Sequence, residues 1–379
     1  KLLEDKLSER LHEELTKTFI DKRASILARG LKQDMDFDTK ILENNEVIID
    51  NQFIGKINGL KLELDLKKGA LETDIKSLKK AARQTVGPEL EKRIQTIIET
   101  GLIELHNDFK IYWNKFAIAR LIAGNDYLTP NFELIVDDIL EQDQKQKLIN
   151  FINKWLKGKI DNVLKSLIDL KDLKEQNSSI KALAYQLYEN NGVLKREQVS
   201  NYLKNLGQNE RKILRDLGVK FGRYHVFLFR LIKPEAVSLR TLLWKNYHQK
   251  YFNLKPPIFG LNFVDDENFK NKNFMLLCGF EKFDNFYVRI DILERLFMQI
   301  INSNSEEKKE TKMVPEMLNL LGCKKDNFKK LLKSMGYKVR EEKDELFFKY
   351  VPPKIIKKVL HKKSDKESPF GILKNLNFN

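Results

Sequence analysis

The sequence predicts a mainly α-helical α+β chain of several domains, with small β-hairpins or ribbons and two winged-helix-like or helix-turn-helix-like units. Three observations point there. A length of 379 residues exceeds what one ordinary core organises. Long stretches with apolar residues four apart alternate with short β-rich runs broken at turn dipeptides. Two compact stretches each place helices and a glycine stop ahead of a short ribbon.

The opening segment puts Leu7, Leu11, Leu15 and Phe19 on one side of a long helix whose other sides are charged. EVIIDNQFIGKINGLKLELD, residues 46–65, mixes Val47, Ile49, Phe53 and Ile57 with polar neighbours around Asp50-Asn51 and Asn58-Gly59, which predicts strands and turns. A helical pattern resumes after Gly69, and Pro88 within it predicts a break or a first turn. The string IIDNQFIGKINGL is echoed by IYWNKFAIARLIAG from Ile111, with Ile54, Lys56 and Ile57 answering Ile118, Arg120 and Leu121. Residues 1–173 therefore read as a helical domain with two hairpin-plus-helix units, closed by a polar linker, KEQNSS.

Residues 180–254 predict a winged-helix-like basic unit. Asn209 is placed to cap its third helix, Ile213, Leu214 and Leu217 to face inward, and Gly218 to end the helix in the left-handed conformation. Residues 255–302 read as an aromatic-rich connecting region, partly sheet, with a helix from about Ile290. The stretch SNSEEKKETK reads as a flexible link. Residues 312–350 predict a second small unit: a helix from Pro315, a turn at Gly322-Cys323, a helix through Leu332, then Gly336 and two strands around a charged turn. Residues 351–379 form a basic tail.

Composition restricts the function. With no apolar run near the roughly 20 residues that span a bilayer, membrane insertion is not expected. The two cysteines, Cys278 and Cys323, make no disulfide framework and fit a reducing cytoplasm. The formal charge of +15 suits an anionic partner, although 54 lysines against 15 arginines is also what AT-rich codon bias produces. The arginines are the sharper signal. Arg211, Arg215, Arg223, Arg230 and Arg240 crowd into one short stretch of a chain that otherwise chooses lysine, as positions needing a planar guanidinium would.

No phosphate loop, H-E-x-x-H pair, Cys/His cluster or G-x-S-x-G turn occurs, and acidic pairs such as Asp137-Asp138 and Asp265-Asp266 are ordinary surface features. No catalytic residue, metal or cofactor is assigned to the chain. The candidate site is instead a nucleic-acid contact. Arg211, Lys212 and Arg215 share a helix, and Lys220, Arg223 and Arg230 interleave with Phe221, Tyr224, His225, Phe227 and Phe229 on the following ribbon. Arg240 belongs to the same cluster, and Lys325, Lys329 and Lys333 repeat the helical spacing in the later unit.

FIDKRASILARGL, EVIIDNQFIGKINGLKLELD, FKIYWNKFAIARLIAGNDYLTP, LRDLGVKFGRYHVFLFRLIKPEAVSLRTLLW and SPFGILKNL together resemble landmarks in the C-terminal half of alphaproteobacterial superfamily-two, DExH-type helicases related to the mitochondrial degradosome RNA helicase. The resemblance implies an accessory region that follows two ATP-driven motor domains, guides RNA or DNA as a single strand, and docks RNA-processing proteins. ATP and magnesium are expected only in those motor domains, whose signatures do not occur here. On this view the chain is part of a longer protein. Two alternatives are a protein-interaction scaffold of an RNA-processing complex and a free-standing regulator using its helix-turn-helix-like units on duplex DNA.

Overall fold

A computed structural model describes residues 6–8, 10, 38–65, 72–173, 178–303, 310–343 and 345–351. The amphipathic pattern expected over Leu11, Leu15 and Phe19, the linkers around residues 174–177 and 304–309, and the basic tail from residue 352 lie outside them.

The sequence echo is a structural duplication. The first copy is an antiparallel meander in the order β1 (Thr39–Ile41), β2 (Glu46–Ile49), β3 (Gln52–Asn58), β4 (Lys61–Leu64). After helix α1 (Glu72–Thr100) the second follows as β5 (Glu104–Leu105), β6 (Lys110–Trp113), β7 (Phe116–Asp126) and β8 (Thr129–Leu134), and then helix α2 (Gln142–Val163). The copies agree in detail. Each central hairpin turns on two residues of positive φ, Asp50-Asn51 and Asn114-Lys115, the geometry that matches strand twist. A bulge falls between Val47 and Ile48 in one and between Ile111 and Tyr112 in the other. Val47, Ile49, Ile54 and Ile57 point inward in the first, as do Ile111, Trp113, Ile118 and Leu121 in the second. What the sequence suggests as hairpins are thus four-stranded meanders.

Helix α1 runs unbroken through Pro88, where a break or a first turn was expected. Proline in a helix interior costs about 3 kcal/mol, but Val86, Leu90, Ile94 and Ile97 form one buried stripe across it, and their burial offsets that cost. Leu148, Ile152, Leu156 and Ile160 make the matching stripe on α2, with α3 (Lys165–Lys171) continuing behind it.

Beyond residue 178 the chain repeats one element order three times. The first unit comprises α4 (Ser178–Glu189), β9 (Val193–Lys195), α5 (Ser200–Lys204), α6 (Gln208–Asp216), β10 (Val219–Phe221) and β11 (His225–Leu228). In the second, α7 (Pro234–His248) leads to β12 (Phe263–Asp265), a 3-10 turn (Asp266–Asn268), α8 (Lys272–Leu277), β13 (Phe280–Phe283) and β14 (Phe286–Arg289). The third has α9 (Ile290–Ser303), β15 (Thr311–Lys312), α10 (Pro315–Leu321), α11 (Lys325–Ser334), β16 (Tyr337–Glu342) and β17 (Glu345–Tyr350). In every unit the last strand lies in the middle of a three-stranded sheet, between its hairpin partner and the first strand. In every unit, too, the helix before the hairpin ends two residues ahead of a glycine with positive φ: Gly218, Gly279 and Gly336.

Residues 255–302 are therefore not a connecting region. They hold most of the second unit and the first helix of the third. Helix α7, from the arginine-rich stretch, is the hub between the halves: Pro234 starts it, and Val237, Leu239, Leu242 and Leu243 are buried on several sides. Asn246 at its end donates to the Ile122 carbonyl of β7 at 2.9 Å. One continuous core runs from Val47 to Leu243, so the boundary expected near residue 173 is no break in packing. The second and third units add cores around Phe274 and Phe328.

Candidate nucleic-acid interface

Helix α6 carries the clearest cationic face. Gly207, in extended conformation, is its N-cap, while Asn209, expected to cap it, lies inside the first turn. Leu214 is buried and Ile213 and Leu217 pack against the core, which turns Lys212 and Arg215 to solvent. Arg211 does not join them. Its Nε donates to the Leu206 carbonyl at 3.2 Å and its Nη2 to the Leu203 carbonyl at 2.9 Å, so it satisfies backbone groups at and beyond the end of α5. The Arg215 guanidinium lies over the Phe221 ring, 5.8 Å from its centre, and Lys220 beside that ring is exposed. Among the described residues, Lys212, Arg215 and Lys220 have no ion-pair partner.

The ribbon differs from expectation. Tyr224 is half-buried, edge-on to Phe297 at 5.5 Å, His225 and Phe227 are buried, and Phe229 packs on a small core with Ile290. These rings are framework, because β11 is the central strand of its sheet and is covered on both sides. Arg230 is exposed but sits on the 3-10 turn Phe229–Ile232, off the ribbon. Arg240 is fully enclosed and donates to the carbonyls of Asn191, Leu231 and Leu277, which removes it from any surface. Arg223 stays exposed at the β10–β11 turn, its guanidinium 5.7 Å from the Phe297 ring and 5.9 Å from that of Tyr350.

On α11 the lysine row is largely neutralised. Lys325 and Lys329 converge on Glu341, at 2.7 Å and 2.5 Å, and their hydrogen bonds draw its carboxyl down to about 2. Of the three lysines, Lys333 is the exposed one.

The three units meet at a polar junction whose carboxylates, Glu281 and Glu294, gave no signal in sequence. The Glu294 carboxylate of α9 accepts the backbone N–H groups of Arg223, Tyr224 and His225, pinning the β10–β11 turn to the third unit. Glu281 of β13 receives Lys195 at 2.8 Å and faces His225 Nε2 at 3.3 Å. Burial opposes a charge on His225, but the Glu281 and Glu294 carboxylates outweigh it and raise the imidazole above its ordinary 6.5. Burial pushes the Glu281 carboxyl up, and His225 and Lys195 more than reverse it, leaving it below 4.5. A cleft of about 560 Å3 opens over this junction. Arg196 on its wall donates from Nη1 to the Gly222 carbonyl at 2.7 Å, beside Arg223.

Among the described residues, no group of three or more His, Cys, Asp and Glu side chains is placed to hold a metal ion. No helix among them is long and apolar enough to cross a membrane. No protein-family model matches the chain, and no curated protein or solved structure matches it.

Proposed function

We propose that this chain is a nucleic-acid-binding accessory region of an ATP-dependent helicase, and that it steers a single strand beside motor domains in the same polypeptide. The helicase assignment rests on the sequence landmarks. The binding role rests on one observation: Lys212, Arg215 and Lys220 are exposed on adjacent elements, with no carboxylate partner among the described residues. Unpaired surface cations release the condensed counterions of a phosphate backbone.

The repeated unit supports this reading. A helix, a strand, two helices and a two-stranded ribbon, with first and last strands paired, is the order of a winged helix, and α6 stands where such a domain presents its recognition helix. We read all three units as winged helices. In the first, the wing is the turn held by Glu294, so α6 and the base of β10 are left to make the contact.

The test is fluorescence anisotropy with labelled single-stranded RNA and DNA. Reversing Lys212 and Arg215 to glutamate should weaken binding at least tenfold, and reversing two exposed lysines of α2, Lys154 and Lys157, should change it far less. Equal losses from the two pairs would reduce the effect to net charge. Full retention with Lys212 and Arg215 reversed would refute the site.

A further inference from the structure

We propose that the cleft between the three units is a second subsite for the same strand, taking one unpaired nucleotide, with its base against an aromatic wall and its phosphate at two guanidinium groups; this rests on the nucleic-acid reading above. The cleft's volume, about 560 Å3, lies within the range of roughly 300–1,000 Å3 of pockets that enclose small ligands. Its walls supply both kinds of contact that a nucleotide needs.

The aromatic contact comes from Phe283 at the tip of the second unit's hairpin and from Tyr350 at the end of β17. Tyr350 is 40% exposed, with the Arg223 guanidinium 5.9 Å from its ring centre and Tyr337 edge-on at 5.4 Å, so cation and ring are presented together. The cationic contact comes from Arg196 and Arg223. Both guanidinium groups are brought to the β10–β11 turn, Arg223 by lying on it and Arg196 by its bond to Gly222. Arg196 spends one N–H there and keeps the rest of its fork; Arg223 is exposed. Lys195 and Lys282, also on the walls, are occupied by Glu281 and Asp266. Two arginines set against the rim carboxylates Glu197 and Asp284 favour one phosphate rather than a run of them. The floor carries His225, which is buried between Glu281, 3.3 Å from its Nε2, and Glu294, 3.6 Å from its Nδ1, so it belongs to the junction and leaves the contact to the walls.

The cleft continues the α6 face. Arg215 covers Phe221, and Arg223 follows two residues later, about 7 Å of extended chain. A strand lying along Lys212, Arg215 and Lys220 would cross that turn and reach the cleft mouth. A duplex, whose bases are already stacked and paired, has nothing to insert. The subsite therefore accounts for a preference for single strands, which the α6 face alone does not create.

The experiment uses the whole chain and a single-stranded oligouridylate with one 5-iodouridine, photocrosslinked and mapped by peptide mass spectrometry. Crosslinks to peptides containing Phe283 or Tyr350 are expected. Tyr350→Ala should lower affinity for the oligouridylate about tenfold, as loss of one base stack does. Tyr350→Phe should keep the affinity, which separates a stacking ring from a hydroxyl contact, and a Tyr350→Ala chain with normal thermal stability excludes a folding effect. Crosslinks confined to α6 and β10, or unchanged affinity in Tyr350→Ala, would overturn the subsite and leave the proposed function standing. Absence of oligouridylate binding by the wild-type chain would sink both.

Discussion

Replacing Arg240 with methionine keeps an unbranched apolar stem and removes the guanidinium. In the native fold Arg240 is 0% exposed and donates to the carbonyls of Asn191 at 2.7 Å, Leu231 at 2.6 Å and Leu277 at 2.8 Å. Those carbonyls belong to the turn before β9, the turn after β11 and the end of α8, so one side chain joins the first unit to the second. A hydrogen bond to a charged group contributes about 1.5–3 kcal/mol, and losing three leaves three carbonyls without that donor. Against this, methionine escapes the several kcal/mol that holding a cation in the interior costs. That burial is severe enough to bring the guanidinium down to about 10. The balance is a net destabilisation of about 3 kcal/mol, within the range for breaking a buried polar network. For a cooperative unit of 150–250 residues this is a fall in Tm of roughly 6–12 °C. Differential scanning calorimetry reads the shift, and anisotropy well below the transition reads nucleic-acid affinity, which should be unchanged. An unshifted Tm together with lost affinity would show that Arg240 is a ligand contact and would refute the structural assignment.

The junction carries two further predictions. The folded pKa of His225 is raised above 6.5, so its contribution to stability is full below pH 6.5 and disappears as pH rises through the folded value. Glu281, held below 4.5, acts in the opposite sense: its contribution is present above pH 4.5 and is lost as pH falls through its depressed value. Stability from this pair is therefore greatest between these limits. Tm should rise as pH is lowered from 8 towards 6, and His225→Gln should remove its share of that rise; an identical pH profile in the variant contradicts the assignment. In Glu294→Ala the amides of Arg223, Tyr224 and His225 lose their acceptor and should exchange with solvent about tenfold faster. Unchanged protection in hydrogen-exchange mass spectrometry would mean that the carboxylate does not hold the turn.

The duplicated meanders are legible in sequence because each sets a two-residue turn between alternating apolar residues, and Ile54 and Ile57 repeat as Ile118 and Leu121. The first and third units are legible for a similar reason, since α6 and α11 are long enough to show one apolar face ahead of Gly218 and Gly336. The second unit hides. Its middle helices are the 3-10 turn Asp266–Asn268 and the short helix Lys272–Leu277, neither long enough for a helical period, and only Gly279 marks the repeat. The candidate site was legible in part. Lys212, Arg215, Lys220 and Arg223 are exposed, as a basic cluster implies. The fates of Arg211 and Arg240 depend on carbonyls at helix ends and loops, and local sequence carries no trace of such partners. Glu294 and Glu281 were missed for the same reason: a carboxylate that caps a distant turn reads in sequence like any surface acid.

The central claim, that Lys212, Arg215 and Lys220 contact phosphates, is tested most directly by the salt dependence of single-strand binding. Each phosphate contact on a single strand contributes about 0.7 to the slope of log K against log salt, so neutralising all three to glutamine should flatten that slope by about 2. A variant with weaker binding but the wild-type slope would contradict the claim.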